Sequence, residues 1–234
     1  MVSNNTSGKG INFDLNNYTG LIQNLSQYSC CFCGIAHFFG GPSVYFHQKA
    51  LEYQKSDFLG ERHIESIYAT LVAWGMHRMG KTMTKMPDFE RFRKSILDNK
   101  SKLEQLDNYD IRSISKDDLD KLLPELTNVC FALNGSRSKS KLVSSTKILS
   151  HILPDLVCPM DRNYTLEFFG VNLTNKSEDK EKEVFQAIMR KMWEFFQDSR
   201  TAGVKVGCVF AENYPKLFDS LIVAYLQKNK ITNP

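Results

Sequence analysis

Nowhere does the chain hold an apolar run near the roughly 18 to 20 residues that a bilayer crossing requires, so membrane insertion is not expected. Met1 to Gly20 is polar and asparagine-rich, unlike a secretory signal. The expected compartment is therefore a reducing cytoplasm, with Cys30, Cys31, Cys33, Cys130, Cys158 and Cys208 as free thiols. A strong charge imbalance is also missing. Thirty Lys and Arg against 26 Asp and Glu leave a formal net charge of +4, a mild excess that suits a polyanionic partner but also occurs in proteins that never meet one. Paired CxxC knuckles are absent. Cys30, Cys31, Cys33 and His37 could hold zinc in principle or be small buried thiols, and no second ligand pair stands out downstream. No cofactor is expected. There is no internal repeat and no low-complexity tract, and 42% hydrophobic against 24% charged residues is the balance of an ordinary folded domain.

What the chain does hold is helical spacing. Leu21, Leu25 and Tyr28 recur on one side of a helix; Val44 to Tyr53 reads as another, after the stop at Gly40-Gly41-Pro42. Residues 63–79 place Ile64, Ile67, Tyr68, Leu71, Val72 and Met79 on one broad face, with Gly75 marking an end, a kink or a close backbone approach. Further helices are expected over Asp88 to Asp98, after the Ser115 capping box, over Glu125 to Leu133, and from Thr146, capped by Ser144 or Ser145, to Leu153. Arg162 to Phe169, Glu183 to Asp198 after a loop at 172–182, and Pro215 to Gln227 complete the series. Pro124 is read as a boundary, and Val204 to Phe210 as the one plausible strand. Helices without strands must pack on each other, so the expected fold is mainly α: a flexible arm over 1–14, then one helical domain over 15–234. That domain would have two lobes beside a cleft, about 15–110 with the C-terminal helices and about 111–170.

The chemistry concentrates in NGSRSKSKLVSSTKILSHILPDLVCPMDRNYT, residues 134–165. Arg137, Lys139, Lys141 and Lys147 stand among Ser144, Ser145 and Thr146 ahead of a helix start, where free amides and the positive end of the helix dipole suit a phosphate. A solvated basic loop with an ordinary cap is the other reading. Beyond the helix, the apolar loop Leu156 to Met160 delivers Asp161 from between Pro154 and Pro159. Burial there would raise the basicity of this carboxylate for work as a general base or charge stabiliser; a plain N-cap for the next helix is equally open.

This order of elements resembles the helix-hairpin-helix DNA glycosylases, through Thr146-Lys147-Ile148 and Pro159-Met160-Asp161-Arg162. The resemblance implies that Asp161 stabilises the oxocarbenium-like sugar as the base leaves and activates water. Lys147 would be the Schiff-base nucleophile of a lyase-competent member or a phosphate contact in a monofunctional one. Arg137, Lys139, Lys141, Ser144, Ser145, Thr146 and Arg162 would hold DNA. The chain departs from the family pattern in having no glycine within 139–146 and in the short spacing from Lys147 to Asp161. Trp74, His77 and Arg78, with Tyr45 and His47, supply the rings and polar groups that a pocket for a flipped base needs, although core packing would also account for them. The expected partner is DNA, bound by a monomer, and a bulky modified base such as phage DNA carries is one conceivable substrate. The rival expectation is a non-catalytic helical module that binds nucleic acid or protein.

Overall fold

The computed structural model describes residue 11 and residues 13–28, 40–79, 84–204 and 213–232, without the side chains of 230–232. It is mainly helical, and the described residues form no strand beyond a single bridge between Met79 and Thr84. The Cys30–His37 group and Val204–Phe210 beyond its first residue lie outside the described residues. No described helix is long and apolar enough to cross a membrane.

The helices are α1 (Leu15–Gln23), α2 (Pro42–Ser56), α3 (Glu61–Ala73), α4 (Phe89–Leu97), α5 (Lys100–Leu106), α6 (Lys116–Ala132), α7 (Leu142–Ile152), α8 (Glu178–Gln197) and α9 (Tyr214–Thr232). Short side chains set several starts. Asp14, Asp88, Ser115 and Ser177 each accept the hydrogen bond of a first-turn amide, those of Asn16, Arg91, Asp118 and Lys180, which satisfies a donor that the helix cannot. The segment expected to be a loose arm is docked by residue 13: Phe13 stacks on Phe169 at 4.7 Å, and the Asp14 amide donates to the Phe169 carbonyl.

The helix boundaries test several expectations. Of the end, kink or close approach read at Gly75, it is an end: α3 stops at Ala73, because Gly75 adopts a φ of +77°. The Gly75 and Met76 amides then turn back onto the carbonyls of Val72 and Leu71, a Schellman closure. Pro124, by contrast, interrupts nothing, and α6 runs straight through it. Its missing amide costs about 3 kcal/mol, whereas Leu119, Leu122, Leu123 and Leu126 are all buried on that helix at roughly 1.5–3 kcal/mol each, so burial wins. α8 begins a turn and a half before its expected start, at the Ser177 cap.

One continuous apolar cluster extends from Leu21 to Leu226 and takes in both expected lobes. α7 is at its centre, packed by α2, α3, α6 and α8 and buried on almost every side, as a helix surrounded by helices must be. α6 and α7 form a helical hairpin around the loop 133–141. α7 then leads through the buried stretch Leu156–Met160 to Asp161.

Candidate functional site

Lys147 projects from the middle of α7 with its side chain largely buried, and Asp161 stands where the loop after that helix returns. Thr146 fixes the return: its hydroxyl donates to the Leu142 carbonyl at 2.8 Å and accepts the Met160 amide at 3.1 Å. The Asp161 amide donates to Thr165 Oγ1. The chain next makes a wide turn, with the Leu166 amide on the Asp161 carbonyl and the Val171 amide on Leu166, a geometry that often marks functional sites.

Held in this way, Lys147 Nζ reaches Asp161 Oδ2 at 2.9 Å, although 14 residues separate the two. The other oxygen, Oδ1, accepts the Asn163 amide at 2.9 Å. The carboxylate therefore does both jobs read from the sequence, capping a turn with one oxygen and facing an ammonium with the other. Burial pushes its pKa up, but the Lys147 charge, the hydrogen bonds from Lys147 and Asn163 and the charge of Lys216 outweigh it and hold the carboxyl below its ordinary value. This corrects the expected gain in basicity: the nearby cations win over desolvation.

Lys147 and Asp161 line a cavity of about 390 Å³, within the roughly 300–1,000 Å³ of small-molecule sites. The end of α3 also lines it, where the Gly75 turn presents Trp74; Tyr164 and Val223 add further lining. A second ion pair, Lys216 with Asp219 on α9, completes it. The ammonium groups of Lys147 and Lys216 lie 5.6 and 5.5 Å from the centre of the Trp74 ring, so one indole faces two cations. Sequence reading missed Lys216, Asp219 and Tyr164. The available signal was a lysine and an aspartate three residues apart in the largely apolar PKLFDSLIVAYL.

Of the residues expected to form a base pocket, Trp74 lines the cavity. Tyr45, His77 and Arg78 are exposed and not part of its lining. His47 is buried behind Trp74, at 5.7 Å ring to ring, in a chain of imidazoles. The Leu59 amide donates to His63 Nδ1, so His63 Nε2 carries the proton given to the His151 carbonyl at 3.1 Å. His151 Nδ1 donates to the Lys147 carbonyl at 2.7 Å, which leaves its Nε2 to accept from His47 Nδ1 at 2.9 Å. Burial pushes His63 and His151 down to about 4, and His47 falls well below its ordinary value for the same reason first, then through His151 and Lys216.

The expected phosphate grip is placed differently. α7 starts at Leu142, and its N-terminus is already occupied: Glu181 Oε2 of α8 accepts the amides of Lys141 and Leu142 at 2.9 and 3.0 Å. Ser144, Ser145 and Thr146 are buried within the helix, and the Ser144 and Thr146 hydroxyls bond the carbonyls of the preceding turn. They do not face a ligand, because the helix begins a turn earlier than expected and takes them inside. Lys141 donates to the Phe131 carbonyl and pairs with Glu178. Arg137, Lys139 and Arg162 are exposed, with Arg137 within 3.8 Å of Asp88. Comparison of the chain with protein-family models, with curated proteins and with solved structures found no match.

Proposed function

We propose that the protein is a DNA glycosylase that hydrolyses the N-glycosidic bond of a flipped, damaged or modified base. The supporting observation is the Lys147–Asp161 pair at 2.9 Å on the wall of an aromatic cavity, since the two residues suggested by the resemblance meet at a cavity that could take a base. A carboxylate held below its ordinary pKa is a weak base but a permanent negative charge. That suits stabilisation of a cationic sugar better than proton abstraction. The C1′–N bond breaks, its electron pair leaves with the base, water adds to C1′, and the proton that the water gives up is taken by the departed base. Asp161 compensates the positive charge on the sugar meanwhile, and Lys147 keeps Asp161 ionised. Trp74 offers a face on which the extruded base stacks. With the α7 amides taken by Glu181, the DNA backbone falls to exposed cations such as Arg137, Lys139 and Arg162.

The test is incubation of the purified protein with duplexes that carry different modified bases, followed by an assay for abasic sites. Abasic sites at one class of base are expected, with Asp161→Asn slower by about a hundredfold or more, the usual scale for losing one electrostatic stabiliser. An Asp161→Asn protein of full activity rules out the assignment. The Asn163 amide on Asp161 Oδ1 favours the rival reading of a non-catalytic module, which predicts DNA binding without any abasic sites.

A further inference from the structure

The Lys216–Asp219 pair has no part in breaking the bond, yet it lines the same cavity. It is also the deeper of the two aspartate positions: the Asp219 side chain is 8% exposed, against 29% for Asp161. A nucleotide that enters such a cavity from a DNA strand must leave its sugar and phosphates at the mouth, because they remain joined to the strand. The sugar then stops beside the more exposed Asp161, and the far edge of the base reaches Lys216 and Asp219. We infer that Lys216 and Asp219 read the base edge and select guanine, unmodified or substituted away from that edge; this rests on the cavity being a base pocket.

The argument is one of donors and acceptors. An ammonium only donates, and one of its protons goes to Asp219 Oδ2. A carboxylate accepts through two oxygens, each with more than one lone pair. Side by side they present a donor next to a double acceptor. Guanine alone among the common bases presents the complement along its Watson–Crick edge: the O6 acceptor, then the N1–H and N2–H donors. Hypoxanthine keeps O6 and N1–H but lacks the amino group. Thymine has one N–H between two carbonyls, so one carbonyl is forced against the carboxylate. Adenine and cytosine bring a ring-nitrogen lone pair where Asp219 needs a proton. Because the pair is nearly dry, a mismatched edge leaves a buried charge without its partner, which is what makes such sites selective. The Trp74 ring beside Lys216 supplies the stacking face whichever base is present, and so adds affinity without choice.

The experiment is calorimetric titration of the wild-type protein with deoxyguanosine, deoxyinosine, thymidine, deoxyadenosine and deoxycytidine. Deoxyguanosine is expected to bind best, about tenfold or more tighter than deoxyinosine, the scale of one charge-assisted hydrogen bond. The remaining three should be weaker still. In Asp219→Asn, checked for intact helical circular dichroism, deoxyguanosine should fall to the deoxyinosine level. Equal binding of all five, a preference for deoxyadenosine or deoxycytidine, or no binding at millimolar nucleoside overturns the proposal on the unaltered protein, whatever the variant does. The glycosylase reading fails separately. Selective deoxyguanosine binding with no abasic sites in any DNA keeps the base-reading pair and removes the enzyme, whereas abasic sites confined to adenine or pyrimidines keep the enzyme and remove the pair.

Discussion

Glu181 Oε2 lies 3.0 Å from the backbone amide of Leu142, so a carboxylate from α8 closes the N-terminus of α7, where a phosphate was expected to sit. The same oxygen also takes the Lys141 amide, and Glu181 is 2% exposed. An internal anion at that point satisfies two donors and the helix dipole together, and it ties α8 to the helix that carries Lys147.

Glu181→Ala should therefore cost about 2 kcal/mol, between the loss of a helix cap and the stranding of buried amides. The midpoint of thermal unfolding should drop by roughly 4–8 °C on the usual scale for a chain of this size. Inorganic phosphate should raise the midpoint of the variant and leave the wild type unchanged, since the vacated amides would accept a new anion. A variant as stable as the parent would mean that the contact carries no weight.

Lys147→Met should shift the acid limb of the activity to higher pH. In the wild type the charge and hydrogen bond of Lys147 oppose the burial of Asp161 and keep its carboxyl below the ordinary value, so the Asp161 anion persists into acid. Without them burial acts with less opposition, and the carboxyl protonates at a higher pH. Lys147→Arg, which keeps the charge, should keep most of the limb in place. Profiles of kcat/KM for the three proteins decide; superimposable acid limbs would sink the account.

The buried histidines should make the fold sensitive to mild acid. His63 and His151 are neutral in the folded chain and fall to about 4, whereas in the unfolded chain they titrate near 6.5. Protonation favours the unfolded state, so stability is full above pH 6.5 and declines as pH falls from there to about 4. Each histidine contributes up to about 1.4 kcal/mol per pH unit inside that window. Denaturant unfolding at pH 7.5, 6.0 and 5.0 should show a progressive loss of a few kcal/mol, with Asp161 adding a further loss only below the ordinary carboxylate range. A flat profile from pH 7 to 5 would contradict the neutral, buried arrangement.

Gly75→Ala should destabilise by about 1 kcal/mol and also lower activity. At a φ of +77° a methyl group strains the backbone, but nothing lies within 4 Å of the added carbon, so the cost is conformational rather than steric. Gly75→Asn, which tolerates that region better, should cost less. The same turn orients Trp74 towards the cavity, and activity and stability should fall together. An alanine variant more stable than the asparagine variant would refute the explanation.

What could be read along the chain was what depends on neighbours in sequence. Ser115 and Asp88 bond amides three residues on, the apolar spacing of α3 and α4 repeats within two turns, and Gly75 ends a helix through its own backbone. The approach of Lys147 to Asp161 was half legible, since the apolar loop between them, with Pro154 and Pro159, hinted at a rigid return. Errors arose where a distant part of the chain intervened. Ser144 and Ser145 look like caps in isolation, but Glu181 supplies the cap from 39 residues away. Pro124 looks like a boundary until the burial of four leucines outweighs it.

The sequence by itself determined a helical protein and singled out the carboxylate at residue 161, because periodicity, capping and loop rigidity are local properties. Tertiary structure alone decided that Lys216 and Asp219 of α9 would share a cavity with Trp74 and Lys147, that His47 would sit behind that wall, and that an internal glutamate would fill the helix end. Those outcomes follow from which helix faces meet, and that is set by the burial of the whole apolar surface at once rather than by any one segment.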